Sequence, residues 1–210
     1  MSAQLSTLRT ELRARLGLAA AADAYGPSQA ILNSILARAQ NWLYWQYDWE
    51  QLRRTWTFAT VIGTQAYAWP SNGASEVCEP RKIIEAWLNN AGANAELREG
   101  VPLGLRGDIS QATPTRYWRA DQMYLWHVPD SAAYTVDVDG YKALAAFAAD
   151  TDTVTLDDEA VMELALAIGK AHYRQTDAAG YLTLLATLIS KLNSRDDVTG
   201  AVDIATVTPP

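Results

Sequence analysis

The chain has one cysteine, two histidines and two phenylalanines in 210 residues. A lone Cys78 excludes an internal disulfide framework and any multi-cysteine metal site, and it suits synthesis in a reducing cytosol. With only His127 and His172 as near-neutral acid-base groups, and neither in triad or metal spacing, no histidine-driven catalysis is expected. Cations are in the minority: 17 Lys and Arg stand against 24 Asp and Glu, a formal charge of −7. Gripping a phosphate backbone takes clustered Lys and Arg, so nucleic acid is not expected to be held. The same acidity serves a channel wall past which DNA slides, and it serves plain solubility; composition leaves both open. Long apolar runs are missing as well. No stretch approaches the ~18 residues of a membrane span, and Ser2 to Leu12 lacks the charged-then-apolar layout of a signal peptide. A soluble, unexported protein with no membrane partner is the expectation.

Other absences concern chemistry. Gly63-Thr-Gln and Gly104-Leu-Arg-Gly107 lack the strand-to-helix setting and the lysine of a phosphate loop, and no serine elbow or Cys-His arrangement occurs. Asp137-Val-Asp139-Gly140 is half of a calcium loop without its remaining ligands. Asp150, Asp152, Asp157 and Asp158 form an acidic stretch that reads either as helix-capping aspartates in a hydrated loop or as a cation site at a subunit contact. No catalytic residue, cofactor-binding residue or metal ligand is therefore assigned, and no cofactor is expected.

What the chain has is apolar and aromatic residues. Close to half its residues are apolar and a fifth charged, with eight Trp and ten Tyr, which is globular composition in a length that can bury a core. Leu5, Leu8, Leu12 and Leu16 recur at helical spacing from Ser2, a possible cap, to Gly17. After the linker Ala19 to Pro27, a second helix reaches to about Glu50. At about 100° per residue, Ile31, Ile35, Trp42, Trp45 and Trp49 fall on one side. Leu32, Leu36, Ala39 and Leu43 fall on an adjoining side, and Asn33, Ala37, Asn41, Tyr44 and Asp48 make the remaining polar strip. Two apolar stripes call for two partners.

From Arg53 the period becomes two. Trp56, Phe58 and Thr60 alternate with Thr55, Thr57 and Ala59, and Gly63-Thr64 marks a turn, so a hairpin with Ala66 to Trp69 is expected. Strands at 81–88, 95–98, 115–118, 122–128 and 134–141 follow, separated by turn residues. Helical spacing resumes at Asp158 with Val161, Leu164, Ala165, Ile168 and His172 on one face, behind the acidic start Asp157 to Glu159. A last helix carries Tyr181, Leu184, Leu185, Leu188 and Leu192.

The fold class expected is α+β: a helical bundle from N- and C-terminal helices (1–52 and 157–192), an inserted antiparallel β module (53–156) and an extended tail (193–210). The tail reads either as a terminus without a partner or as a segment that orders on a neighbour's strand edge through Val202, Ile204 and Val207.

Several of these residues, in order, resemble one family. Ala39-Gln40 in an amphipathic helix, then Asp48-Trp49, Leu52 and a Thr-rich strand closed by Gly63-Thr-Gln-Ala-Tyr67, are similar to the head-to-tail adaptors of tailed bacteriophages. Pro114-Thr-Arg-Tyr117, Leu125-Trp-His-Val-Pro-Asp130, Tyr134 and the lead-in from Asp150-Thr-Asp-Thr153 to Leu156-Asp-Asp-Glu159 continue the likeness, over roughly residues 28 to 190. The resemblance implies a non-enzymatic structural virion protein at the head-tail junction, made in the host cytoplasm. It would form a ring of twelve copies, bind the portal above and a tail or nozzle protein below, and let DNA pass without specific binding. The subunit interface would use Ile31, Ile35, Trp42, Trp45, Trp49, Leu184 and Leu188, and the portal would be docked by Val202, Ile204, Val207 and Pro209. The competing reading is a carbohydrate-binding or hydrolytic tail component, for which Trp69, Trp87, Trp118 and Trp126 would be the sugar platforms.

Overall fold

The computed structural model describes residues 3–18, 29–73, 76–175 and 177–195. Among them the chain is α+β, with four helices and two four-stranded sheets. It divides into two units, one of Met1–Glu50 with Leu144–Pro210 and the other of Gln51–Ala143.

In the first unit, helix α1 (Leu5–Arg15) buries Leu5, Leu8 and Leu12, and Leu16 just beyond it is buried too. The helix ends where Gly17 takes φ +68° and its N–H, with that of Leu18, bonds back to Ala14 and Arg13 carbonyls, a left-handed cap that costs glycine little. Its start is Gln4, whose side chain makes no cap; Ser2 and the linker from Ala19 to Pro27 lie outside the described residues. Helix α2 (Gln29–Gln46) places Leu32, Leu36, Ala39 and Leu43 in the core at 0 % exposure.

Helix α2 ends four residues earlier than the pattern suggests. Trp49 folds back so that its indole Nε1 donates to the Leu43 carbonyl at 3.0 Å, and that carbonyl also accepts from the Tyr47 N–H. Both bonds satisfy a carbonyl that the last turn would otherwise leave open. Trp49 is therefore off the helix and not on the Ile31 face. Tyr44, expected on the polar strip, is 1 % exposed.

Helix α3 (Asp158–His172) starts at Asp157, whose carboxylate accepts from the Ala160 N–H at 2.9 Å, and it packs against α1, α2 and α4 (Ala178–Arg195). It is buried on nearly every side from Ala160 to Ala167, more than the one-sided stripe of its sequence implies. Its C-terminal turn is tied by Lys170, whose ammonium donates to Gln175 and Asp177 and lies over the Tyr181 ring. Helix α4 runs to Arg195, past the loss of apolar pattern at Asn193. Extending a formed helix adds one hydrogen bond per residue without needing a packed face.

Residues 144–156 belong with the helices. Gln40, 2 % exposed, donates to the Ala145 carbonyl and accepts from the Thr155 N–H, while Leu5 and Ser6 N–H groups bond to the Asp152 and Asp150 carbonyls.

The second unit has sheets of order β1-β8-β3-β4 and β2-β7-β6-β5. Its strands are β1 (Arg53–Ala59), β2 (Ala66–Tyr67), β3 (Cys78–Asn90), β4 (Ala93–Glu96), β5 (Arg98–Glu99), β6 (Arg116–Arg119), β7 (Met123–Trp126) and β8 (Tyr134–Lys142). Trp56, Ile83, Leu88, Val136 and Val138 of one sheet share a core with Tyr117, Met123 and Leu125 of the other. The expected hairpin of β1 with β2 does not form: β1 pairs with β8, and β2 pairs with β7. Residues 60–65 carry the chain between sheets, held by the Tyr67 hydroxyl, which accepts from the Val61 N–H at 3.0 Å and lies 3.0 Å from the Thr64 carbonyl. The module is not wholly antiparallel, because β5 runs parallel to β6.

Cys78 sits in this core at 1 % exposure, and burial pushes its thiol up to about 12. The thiolate is the reactive form, so the folded protein at pH 8 is expected to resist thiol reagents and to react fully in denaturant, as a chromogenic thiol assay would show.

Candidate assembly surface

Helices α2 and α4 both pack on α3 and leave an open groove of about 1090 Å³ between them. From α2 come Ile31, Ser34, Ile35, Arg38 and Trp42, and the floor is Leu164, Ala167, Ile168 and Ala171 of α3. The far wall is Ala178, Ala179, Leu182, Leu185, Ala186 and Ile189 of α4. Small side chains on α3 and α4, Ala167, Ala171, Ala178, Ala179 and Ala186, leave space there that larger ones would fill.

The lining is apolar with almost no converging polar groups, and its volume is at or above the range of small-molecule sites. Such a shape suits a polypeptide better than a metabolite. Among the described residues the lining carries no carboxylate; it includes Arg38, exposed and without an ion pair, and His172, exposed at the end of α3 with its ring edge-on to Tyr173.

The structure separates the residues that the sequence grouped as an interface. Ile31, Ile35 and Trp42 line the groove, but Ile35 is already buried at 7 % while Ile31 is 39 % exposed. Trp45 is 43 % exposed outside it, edge-on to Tyr44. Trp49 is half-buried beside Tyr47. Leu184 is 56 % exposed and Leu188 half-buried; neither lines the groove. Val202, Ile204, Val207 and Pro209 lie outside the described residues. Sequence reasoning missed Arg38, Ala171, Ala179 and Ala186, since alanine carries no strong pattern signal, although the run of small residues at helical spacing on α4 was there to read.

The acidic stretch is occupied by the fold itself. Asp150 pairs with the Arg9 guanidinium at 2.8 and 3.1 Å and accepts from Gln29. Asp152 accepts from the Ala148 and Ala149 N–H groups, and Asp158 from that of Ala3. Among the described residues no group of three or more His, Cys, Asp or Glu is placed to hold a metal ion.

These contacts also set a pH dependence. The Arg9 hydrogen bond lowers Asp150, backbone N–H groups lower Asp152, and Lys170 lowers Asp177 from the ordinary carboxylate value. A carboxylate lowered on folding contributes stability above its unfolded value, and that contribution is lost as pH falls through the folded value. Stability is expected to be flat near neutrality and to drop below about pH 4. Urea melts should show the drop, and Asp150→Asn with Asp177→Asn should shrink it.

Elsewhere, possible chemistry is also spoken for. Asp139 is paired with Arg53 at 2.5 Å, and Asp137 accepts from Thr57. His127 stacks on Trp126 and lies 3.0 Å from the Ser110 hydroxyl. Of the tryptophans that would serve as sugar platforms, Trp118 is buried and stacked on Tyr124, and Trp69, Trp87 and Trp126 are only partly accessible. No helix among the described residues is long and apolar enough to cross a membrane.

Compared with known proteins, the chain matches over residues 3–205 the family model described as SU10 adaptor protein. No curated protein matches it.

Proposed function

The chain belongs to the SU10 adaptor protein family, and on that premise we propose that it is the virion component that forms a ring beneath the portal and joins the phage head to the tail. Copies associate side by side through the helical unit, and twelve of them close the ring. The residues after α4 bind the portal, a tail or nozzle protein binds below, and DNA passes through the lumen. With an overall charge of −7, the ring repels the passing duplex and does not retain it.

The observation that carries this reading is the open apolar groove between α2 and α4, flanked by exposed Ile31. An apolar face of this size is a place for another polypeptide. The patches that meet in such a contact differ, so the interface is heterologous, and repeating it closes a ring when the rotation permits. Among the described residues no comparable surface favours the carbohydrate reading, because the tryptophans that would form its platforms are not freely exposed.

Native mass spectrometry of the purified chain, alone and mixed with its portal, tests the proposal. The expected result is a monomer alone and a complex with twelve copies on the portal. A chain that ignores the portal overturns it.

A further inference from the structure

We propose that the β unit carries a second contact between copies: the outer edge of β1 pairs, antiparallel, with the outer edge of β4 in the next copy, so that one sheet continues into another. These strands are the two edges of the sheet β1-β8-β3-β4. The Thr60 N–H bonds to the Tyr134 carbonyl, and the Leu97 N–H to the Ala86 carbonyl. Backbone groups of an antiparallel strand turn toward and away from a given neighbour at alternate residues. Thr55, Thr57 and Ala59 of β1, and Asn94 and Glu96 of β4, therefore direct theirs out of the sheet. All five residues are exposed, and among the described residues none of these outward groups has a backbone partner.

Direction, charge and packing select a second copy as the occupant. Every ladder in this sheet is antiparallel, so β1 and β4 run in opposite directions, and a neighbour in the same orientation presents its β4 antiparallel to β1. Strand β1 begins with Arg53 and Arg54 and has no carboxylate, whereas β4 ends in Glu96 and has no cation. Antiparallel pairing brings those two ends together: with Thr57 opposite Asn94, Thr55 faces Glu96 and Arg53 is its diagonal neighbour. The same register sets Ala93 and Ala95, exposed in the single chain, opposite Phe58 and Trp56, the core-side residues of β1. Two small side chains leave room for the half-buried Phe58 ring. Edge strands are usually blunted by a proline, a charge or a bulge, and from Thr55 to Ala59 β1 has none of these.

This contact rests on the ring reading and adds a backbone ladder to it. Because the paired edges differ, a copy that has engaged one neighbour through β1 still offers β4 to another, which is the heterologous pattern that a ring closes.

The test is a disulfide in the full-length chain carrying Thr57→Cys and Asn94→Cys, mixed with the portal, mildly oxidised and separated without reductant, with native mass spectrometry of the same sample. Within one chain the two positions are three strand spacings apart, at least about 14 Å, beyond the ~7 Å that a disulfide can bridge. Residues facing each other in a hydrogen-bonded pair lie about 5.5 Å apart, and the native Cys78 is buried. The expected result is a ladder of covalent multimers from the ring-sized complex and none from either single variant. Multimers from a single variant, or a ring-sized complex without cross-links, overturn the proposal and leave the ring standing. If the parent chain forms no complex with the portal, the ring reading fails and this contact fails with it. Thr55→Pro, without added cysteines, removes an outward N–H that no strand of its own chain uses; it is expected to cut complex formation about tenfold, and it decides the matter if the cysteine pair does not assemble. Undiminished assembly of Thr55→Pro overturns the proposal as well.

Discussion

Trp56→Ala is expected to destabilise the unit of residues 51–143 by about 3–5 kcal/mol, the largest loss available from one side chain there. Trp56 is 1 % exposed at the centre of β1, packed with Val136, Val138 and Leu88 from its own sheet and Met123 and Leu125 from the facing one. Truncation removes most of that contact and leaves a cavity that two sheets tied by hydrogen-bonded ladders relax into only partly. It also strips the Glu76 carbonyl of the indole N–H that reaches it at 2.9 Å. Trp56→Phe separates the two effects, since it keeps much of the packing and loses the hydrogen bond, and a cost of about 1 kcal/mol is expected from the bond. Urea denaturation followed by circular dichroism measures both. A cost below about 1 kcal/mol for alanine would mean that the facing sheets close over the gap and that the core around Trp56 is not closely packed.

The elements that depend on local pattern were legible in the sequence. Four leucines at helical spacing marked α1, and all four are buried. Asn89-Asn90-Ala91-Gly92 marked the turn between β3 and β4, where Asn89 accepts from the Gly92 N–H and Gly92 takes φ +90°. The Ala39-Gln40 pair that carried the family resemblance proves to be two structural necessities: Ala39 leaves room in the core, and Gln40 reaches two backbone groups in the 144–155 segment. Tyr67 likewise closes the loop ahead of it. What stayed hidden depends on partners far along the chain. Adjacent alternating segments suggested a β1–β2 hairpin, yet β1 is completed by β8, some 80 residues away, a pairing that periodicity cannot express. The groove was hidden for a related reason. Its existence depends on how α2 and α4 lie on α3, and helical periodicity predicts which face is apolar, not how much of it a neighbour covers.

Assembly gives the second large effect. Ile31→Glu combined with Leu184→Glu is expected to abolish twelve-copy complexes on the portal while leaving the isolated chain's stability within about 0.5 kcal/mol. Both residues are exposed in the single chain, at 39 % and 56 %, so a charge there is solvated until a second copy arrives. In a contact it must be desolvated in place of an apolar side chain whose burial is worth about 1.5–3 kcal/mol. In a closed ring every interface is the same, so the penalty recurs at each one, and a modest change per contact removes the ring. Leu103→Glu, which changes a side chain 80 % exposed on the other unit, is the control. If it blocks assembly and the helical pair does not, association runs through the β unit and the helical face has another use. If only the helical pair blocks it, copies meet through the helices.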